Sequence, residues 1–369
     1  MDRKEYLKNA RRIVVKIGSQ LLEKDGCIDE EFIDNLAGNI KKLHGEDREV
    51  VIVSSGAILA GVKKLKLGQR PKTITEKQAV ASVGQAYLIQ IYDRQFSRNG
   101  LTIGQILLTI EGLRERKRYV LAQNTLNKLL DMSVVPVVNE NDTIAIEEIV
   151  FGDNDFLAAH VSVLIDADLL VILSTAGGLY TGEPSEPSSE LIEEIMDIDA
   201  ALSYAGASTS RFGTGGMRSK LEAAKIAVSH QIPVVIAPKK KDILLQLLEG
   251  KPSGSFIHPQ KGAGLSRKKS WLKLLSAPKG KITIDDGAVK AIKEGKSLLP
   301  AGIKAVEGIF SKNDVVAILN EKGQIIGKGI VNFNYKELER IKGRKSGEVE
   351  KILKRKFTEA IHRDNMVVF

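Results

Sequence analysis

Six short runs rich in Val, Ile and Leu punctuate the first two thirds of the sequence, at residues 13–17, 50–53, 104–108, 134–138, 169–173 and 233–236. A strand with one wet face alternates apolar and polar side chains, because successive side chains point to opposite sides of the sheet. These runs lack that alternation, as strands covered on both faces do. Helix-compatible stretches lie between them, at 30–43, 76–97, 112–132, 155–165 and 216–229. Strand and helix taking turns predict an α/β fold: a mostly parallel central sheet with helices on both sides. In such sheets ligands bind beyond the carboxyl ends of the strands. There the chain places Gly18-Ser19, Ser54-Ser55-Gly56-Ala57, Asn139-Glu140-Asn141-Asp142 and Ser174-Thr175-Ala176-Gly177-Gly178. These small, polar, turn-capable segments on one edge predict a single composite site.

A length of 369 residues predicts two domains. Residues 1–260 read as the α/β domain. Clustered Gly and Pro with a basic run at Arg267-Lys268-Lys269 read as a linker over 261–277. Residues 278–369 read as a small, mainly β barrel, with short strand-like pieces at 281–284, 315–319 and 325–331 and turns at Asp286-Gly287, Ala301-Gly302 and Glu321-Lys322-Gly323. The charge follows this division. Residues 1–260 hold 31 Lys and Arg against 34 Asp and Glu, whereas residues 261–369 hold 24 against 12, so the net +9 sits entirely in the last third. A basic segment attracts polyanions, which makes RNA an alternative partner there. No apolar stretch is long enough for a transmembrane helix, no apolar core follows the basic N-terminus as in a signal peptide, and Cys27 is the only cysteine. The expectation is a cytoplasmic protein without a membrane partner.

Four elements carry the chemistry. Lys16 lies inside an apolar strand, where a cation is costly without an anionic partner, and the following Gly18 lets backbone amides approach a phosphate. The alternative is an edge lysine whose stem snorkels to water. Gly213-Thr214-Gly215-Gly216-Met217-Arg218-Ser219-Lys220 leads into a helix, where free N–H groups and the helix dipole favour an anion. Its spacing is not that of a P-loop, and a surface loop is the plain alternative. Gly152-Asp153-Asn154-Asp155 opens another helix; one such residue serves as an N-cap, and three exceed that need. Asn139-Glu140-Asn141-Asp142 is either a turn or part of a site. His362-Arg363-Asp364 is not a protein-kinase loop, since the position five residues after the Asp is Phe369. The five histidines show no metal-ligand spacing. Two lysines and an amide-rich loop suit a transferring phosphoryl group, and a carboxylate acceptor needs no general base.

These segments, together with Gly178-Leu179-Tyr180-Thr181, resemble the amino acid kinase family over nearly the whole chain. The tail, with Leu299-Pro300-Ala301-Gly302-Ile303 and Gly327-Lys328-Gly329, resembles a PUA domain. The resemblance implies a three-layer α/β/α kinase domain that uses ATP and Mg²⁺ to phosphorylate the side-chain carboxylate of L-glutamate, the first step of proline biosynthesis. It implies that Lys16 and Lys220 contact phosphates, that Asp153 and Asp155 organise those lysines, and that Ser55, Asp142 and Asn154 bind glutamate. Ser174, Thr175 and Thr214, Gly215, Gly216, Met217, Arg218, Ser219 and Lys220 fall where the family binds nucleotide. Thr175 departs from the acidic residue that similar enzymes often carry there. A homo-oligomer and feedback inhibition by proline are further implications. The alternatives are a kinase for another small carboxylate and an RNA-binding protein acting through the tail.

Overall fold

The computed structural model describes residues 2–145, 154–186, 188–205, 216–260, 267–354 and 359–369. The chain divides into two compact units, one of residues 1–112 and 119–264, the other of residues 113–118 and 265–369.

The first unit is built on an eight-stranded sheet. In chain order its strands are β1 (Arg12–Ile17), β4 (Glu49–Ser54), β5 (Ile103–Leu108), β6 (Val135–Glu140), β7 (Leu169–Ser174), β8 (Glu194–Ile195), β9 (Val234–Pro238) and β10 (Ser255–Ile257); β2 (Glu23–Lys24) and β3 (Cys27–Ile28) form a separate hairpin. The sheet order is β5-β6-β4-β1-β7-β9-β10-β8. The first six strands run parallel, and β10 turns antiparallel to β9. The six predicted runs are therefore the six parallel strands, and the mostly parallel sheet of the α/β reading is present. β5 is the exception to double-sided burial. It is an edge strand, and its residues are half-buried or exposed.

Strand periodicity decides where Lys16 points. Ile13, Val15 and Ile17 join the core formed with Phe32, Ile33 and Leu36 of the helix Glu30–His44 and Leu88, Ile91 and Tyr92 of the helix Ile74–Arg98. Val14 and Lys16 face the other side, where the helix Asp155–Leu164 packs on β1 and β7 and against the helix Met217–Val228. β1 is hydrogen-bonded on both sides, with Lys16 level with Val53 and Ile172, so this lysine has no edge from which to snorkel. Its side chain is 3% exposed.

The turn after β4 is held by a close helix crossing. Gly56 adopts φ +104°, a left-handed conformation that favours glycine, and starts the helix Ala57–Lys64. That helix meets Ile74–Arg98 at Gly61 and Gly84, where a Cβ on Gly84 would stand 1.8 Å from the Ala57 carbonyl oxygen.

The second unit carries β11 (Gly280–Ile284), β12 (Ile303–Gly308), β13 (Val315–Leu319), β14 (Ile325–Ile330) and β15 (Met366–Val368), paired in the order β12-β11-β13-β14-β15. Register shifts at Thr283/Ile284 and Ile318/Leu319 interrupt the ladders. A core of Ile282, Ile284, Val316, Ile318, Phe310 and Phe333 lies against the helices Asp286–Lys293 and Tyr335–Ile341. Two details differ from the sequence reading. Asp286-Gly287 is not a turn between strands but the first turn of a helix, capped by Asp285, whose carboxylate accepts from the Ala288 N–H at 2.8 Å. Within residues 261–277, Arg267–Leu274 is helical.

Candidate active site

The carboxyl ends of β1, β4, β6 and β7 lie side by side in the sheet, with Ile17 level with Ser54 and Val53 level with Val138. Against that edge the helix Asp155–Leu164 presents its first residue. Asp155 is completely buried, and its two carboxylate oxygens divide between two cations: Oδ1 lies 2.5 Å from Lys16 Nζ, and Oδ2 lies 3.0 Å from Lys220 Nζ. Lys220 comes from the first turn of Met217–Val228 and is itself buried. One carboxylate thus holds two ammonium groups that would otherwise repel, and the trio keeps a net positive charge. Gly18 passes beside it, since a Cβ there would stand 3.6 Å from Lys16 Nζ. An anion reaching this point meets main chain and ammonium together.

Asn154 occupies the N-cap position of the same helix, yet its side chain makes no capping bond. Its amide nitrogen turns to the strand ends instead and lies 2.7 Å from the Ser54 carbonyl oxygen, 2.8 Å from Asn139 Oδ1 and 3.1 Å from Ser55 Oγ. Among the described residues its Oδ1 is buried with no partner, a state that costs about 1–3 kcal/mol unless a donor arrives. Asn139 is oriented in turn, because its Nδ2 donates to Gln85 Oε1 at 2.7 Å and its Oδ1 accepts from the Glu140 N–H at 2.9 Å. Ser54 Oγ sits 3.0 Å from Tyr92 OH. Burial pushes the Tyr92 phenol well above its ordinary range, which leaves it a neutral hydrogen-bonding group. The Gln85 and Tyr92 contacts were missed in the sequence. Their signal in the sequence is a polar group at a half-buried and a buried position of the helix Ile74–Arg98.

Asp142 stands half-buried in the turn after β6, and burial raises its carboxyl to about 6. Ser174 ends β7 and is buried, whereas Thr175 is exposed beside it. Gly216, Met217 and Ser219 are half-buried at the start of Met217–Val228. Arg218 is exposed and pairs with Glu222 at 3.0 Å along the helix surface. Asp153, Thr214 and Gly215 lie outside the described residues. Among the described residues no group of three or more His, Cys, Asp or Glu stands where it could hold a metal ion. No helix among them is long and apolar enough to cross a membrane.

A mostly parallel sheet under helices puts the first unit in the α/β class, and two lysines on one buried carboxylate at its carboxyl edge suit a phosphate-bearing ligand. Comparison with known proteins narrows the class. Residues 11–238 match the amino acid kinase family and residues 280–353 match the PUA domain. The chain belongs to the amino acid kinase family. It is 51% identical over 361 residues to Glutamate 5-kinase of Aquifex aeolicus, covering 97% of this chain and 99% of that one. It is 44% identical over 364 residues to Glutamate 5-kinase of Thermus thermophilus, covering 98% of each. A solved structure, carbamate kinase from Giardia lamblia bound to AMP-PNP, superposes with a TM-score of 0.50 at 13% identity over 68% of this chain and 99% of that one. At that identity it speaks to the fold alone.

Proposed function

We propose that this chain transfers the terminal phosphoryl group of ATP to the side-chain carboxylate of L-glutamate, giving L-glutamyl 5-phosphate, the first step of proline biosynthesis. The observation that carries the chemistry is the buried Lys16–Asp155–Lys220 trio at the sheet edge. Near full-length similarity to proteins named Glutamate 5-kinase carries the acceptor.

In this reading the acceptor carboxylate is already an anion at neutral pH, so the site needs positioning and charge neutralisation, not a base. Lys16 and Lys220 take the phosphate oxygens as charge spreads over them in transfer. Asp155 holds both ammonium groups in place, and Asp153 is assigned the same role. Glutamate is held by Ser55, Asn154 and Asp142. The orphan Asn154 Oδ1 accepts a donor from it, and the Asp142 carboxylate pairs with its ammonium. Ser174, Thr175 and residues 214–220 hold the nucleotide. The carboxylate of Asp155 is already engaged by Lys16 and Lys220, so Mg²⁺ would be held chiefly by the nucleotide phosphates and, when bound, would supply further neutralisation of phosphate charge. The reading takes residues 1–260 as the kinase domain, 261–277 as a connector and 278–369 as the PUA domain. It also includes a cytoplasmic location, a homo-oligomer and inhibition by proline.

The test is ATP turnover by the purified chain with and without L-glutamate, trapping product with hydroxylamine. A glutamate-dependent hydroxamate is expected. Turnover that prefers aspartate, acetylglutamate or carbamate would overturn the acceptor.

A further inference from the structure

Gln85 belongs to none of the polar turns at the strand ends, yet a relay of amides leads from it to Asn154. It sits half-buried on the helix Ile74–Arg98. Its Oε1 accepts from Asn139 Nδ2 at 2.7 Å, and Asn139 Oδ1 accepts in turn from Asn154 Nδ2 at 2.8 Å. Asn139 and Asn154 are each 2% exposed, so protein groups rather than bulk water must satisfy them.

The direction of this relay is not arbitrary. An amide side chain can be turned end for end, but two main-chain groups forbid it here. The Glu140 N–H can only donate, and it meets Asn139 Oδ1 at 2.9 Å. The Ser54 carbonyl can only accept, and it lies 2.7 Å from Asn154 Nδ2. Turning Asn139 over would set its Nδ2 against two donors, the Glu140 N–H and Asn154 Nδ2. Its Nδ2 therefore needs an acceptor elsewhere, and among the described residues that acceptor is Gln85 Oε1. The open end of the relay is Asn154 Oδ1, an acceptor buried without a partner among the described residues.

The helix is held where Gln85 can act in this way. Gly84, the residue before it, lies so close to the helix Ala57–Lys64 that a Cβ there would stand 2.4 Å from the Gly61 nitrogen. Two turns beyond Gln85 on the same side of its helix, Tyr92 OH lies 3.0 Å from Ser54 Oγ. One helix thus braces the groups on both sides of Asn154.

We propose that Gln85 is a positioning residue for the phosphoryl acceptor: through Asn139 it holds the Asn154 amide with its oxygen turned to the substrate, so that the site selects an acceptor carrying a hydrogen-bond donor such as an amino-acid ammonium. The inference rests on the reading that Asn154 holds the acceptor. Gln85 itself touches no substrate. Removing its oxygen leaves a buried Asn139 Nδ2 unpaired, and the relay can relieve that only by leaving the orientation that Asn154 needs.

The test follows hydroxamate formation by the full chain with Gln85→Met, which keeps the length of the side chain and removes its acceptor. KM for glutamate should rise about tenfold while KM for ATP stays within about twofold of wild type. Glutarate has both carboxylates of glutamate and no ammonium, so it offers Asn154 no donor. Its inhibition constant against glutamate should therefore also stay within about twofold in this variant, whereas a site that had merely loosened would weaken both ligands alike. Gln85→Glu still offers an oxygen to Asn139 and should keep KM for glutamate nearer to wild type, which leaves a measurement if Gln85→Met fails to fold. The proposal is overturned if Gln85→Met has the wild-type KM, if glutamate and glutarate weaken equally, or if Gln85→Glu is as impaired as a folded Gln85→Met. Those three outcomes leave the glutamate reading standing. A wild-type chain that forms no glutamate-dependent hydroxamate would overturn that reading and this proposal together.

Discussion

Asp155→Asn isolates the role of the buried carboxylate, because the amide keeps its shape while removing its charge and one of the two acceptor oxygens that hold the lysines. In the native site Lys16 is 3%, Lys220 10% and Asp155 0% exposed at the side chain. At an effective dielectric near 20, each ammonium–carboxylate contact is worth about 4 kcal/mol before desolvation is counted. Desolvating three ions offsets much of that, so the intact trio is no large source of stability. The variant is different: it leaves two like charges buried together and keeps their desolvation cost. Breaking a buried pair in this way costs about 3–5 kcal/mol. At roughly 2–4 °C per kcal/mol for a unit of this size, the melting temperature should fall by about 6–20 °C. If even ~3 kcal/mol of that positioning is expressed in the transition state, kcat drops roughly a hundredfold, while nucleotide affinity changes less because the phosphates still meet two cations. The assays are thermal melting and glutamate-dependent hydroxamate formation at saturating ATP. Turnover above about a tenth of wild type with an unchanged melting temperature would refute the idea that Asp155 organises the two lysines.

Lys220→Ala should lose most turnover while nucleotide affinity falls less; retention of more than about a tenth of kcat, a loss under ~1.4 kcal/mol, would remove Lys220 from the transfer step. The raised carboxyl of Asp142, at about 6, predicts that KM for glutamate climbs as pH falls below that value, since a neutral acid cannot pair with an ammonium; Asp142→Asn should flatten the profile, and a flat wild-type profile between pH 5 and 7.5 would contradict the pairing. Lys239 Nζ donates to the Leu21 carbonyl at 2.6 Å and to Asp29 Oδ2 at 2.7 Å. Burial alone would raise the Asp29 carboxyl, but Lys239 and the Phe32 N–H bring it below its ordinary range, so this contribution is present near neutral pH and lost as pH falls through the lowered value. The melting-temperature loss in Lys239→Met should therefore shrink in acid, and a loss independent of pH would discount the pair. Gly84→Ala puts a methyl group 1.8 Å from the Ala57 carbonyl oxygen, an overpacking expected to cost about 1–3 kcal/mol; calorimetry showing no change would mean the two helices part without strain.

What the sequence disclosed was whatever a single element decides by itself. Unalternating apolar runs marked the six parallel strands, and a lysine inside one of them was conspicuous because burial makes an unpaired cation expensive. The partner of that lysine was legible only as a surplus of polar residues at a helix start. Asn154 shows why: from sequence it is indistinguishable from an N-cap, and only the register of β4 against β6 brings the Ser54 carbonyl and Asn139 to the same amide. The turn after β1 shows the same limit, because Lys239 reaches it from more than two hundred residues away. β12 escaped notice because it has no apolar run, most of its residues being exposed or half-buried. Segment 113–118 escaped for a related reason. Its residues read as the start of a helix-compatible stretch, and Arg116–Asp131 is indeed helical, but the Trp271 indole–carbonyl bond to Leu113 and the ring under Arg116 are supplied by a helix some 150 residues downstream. A site assembled from separate elements shows in sequence only as residues that exceed local need. Asp155 beside Asn154 is an instance of that excess, and the variants above test whether a ligand justifies it.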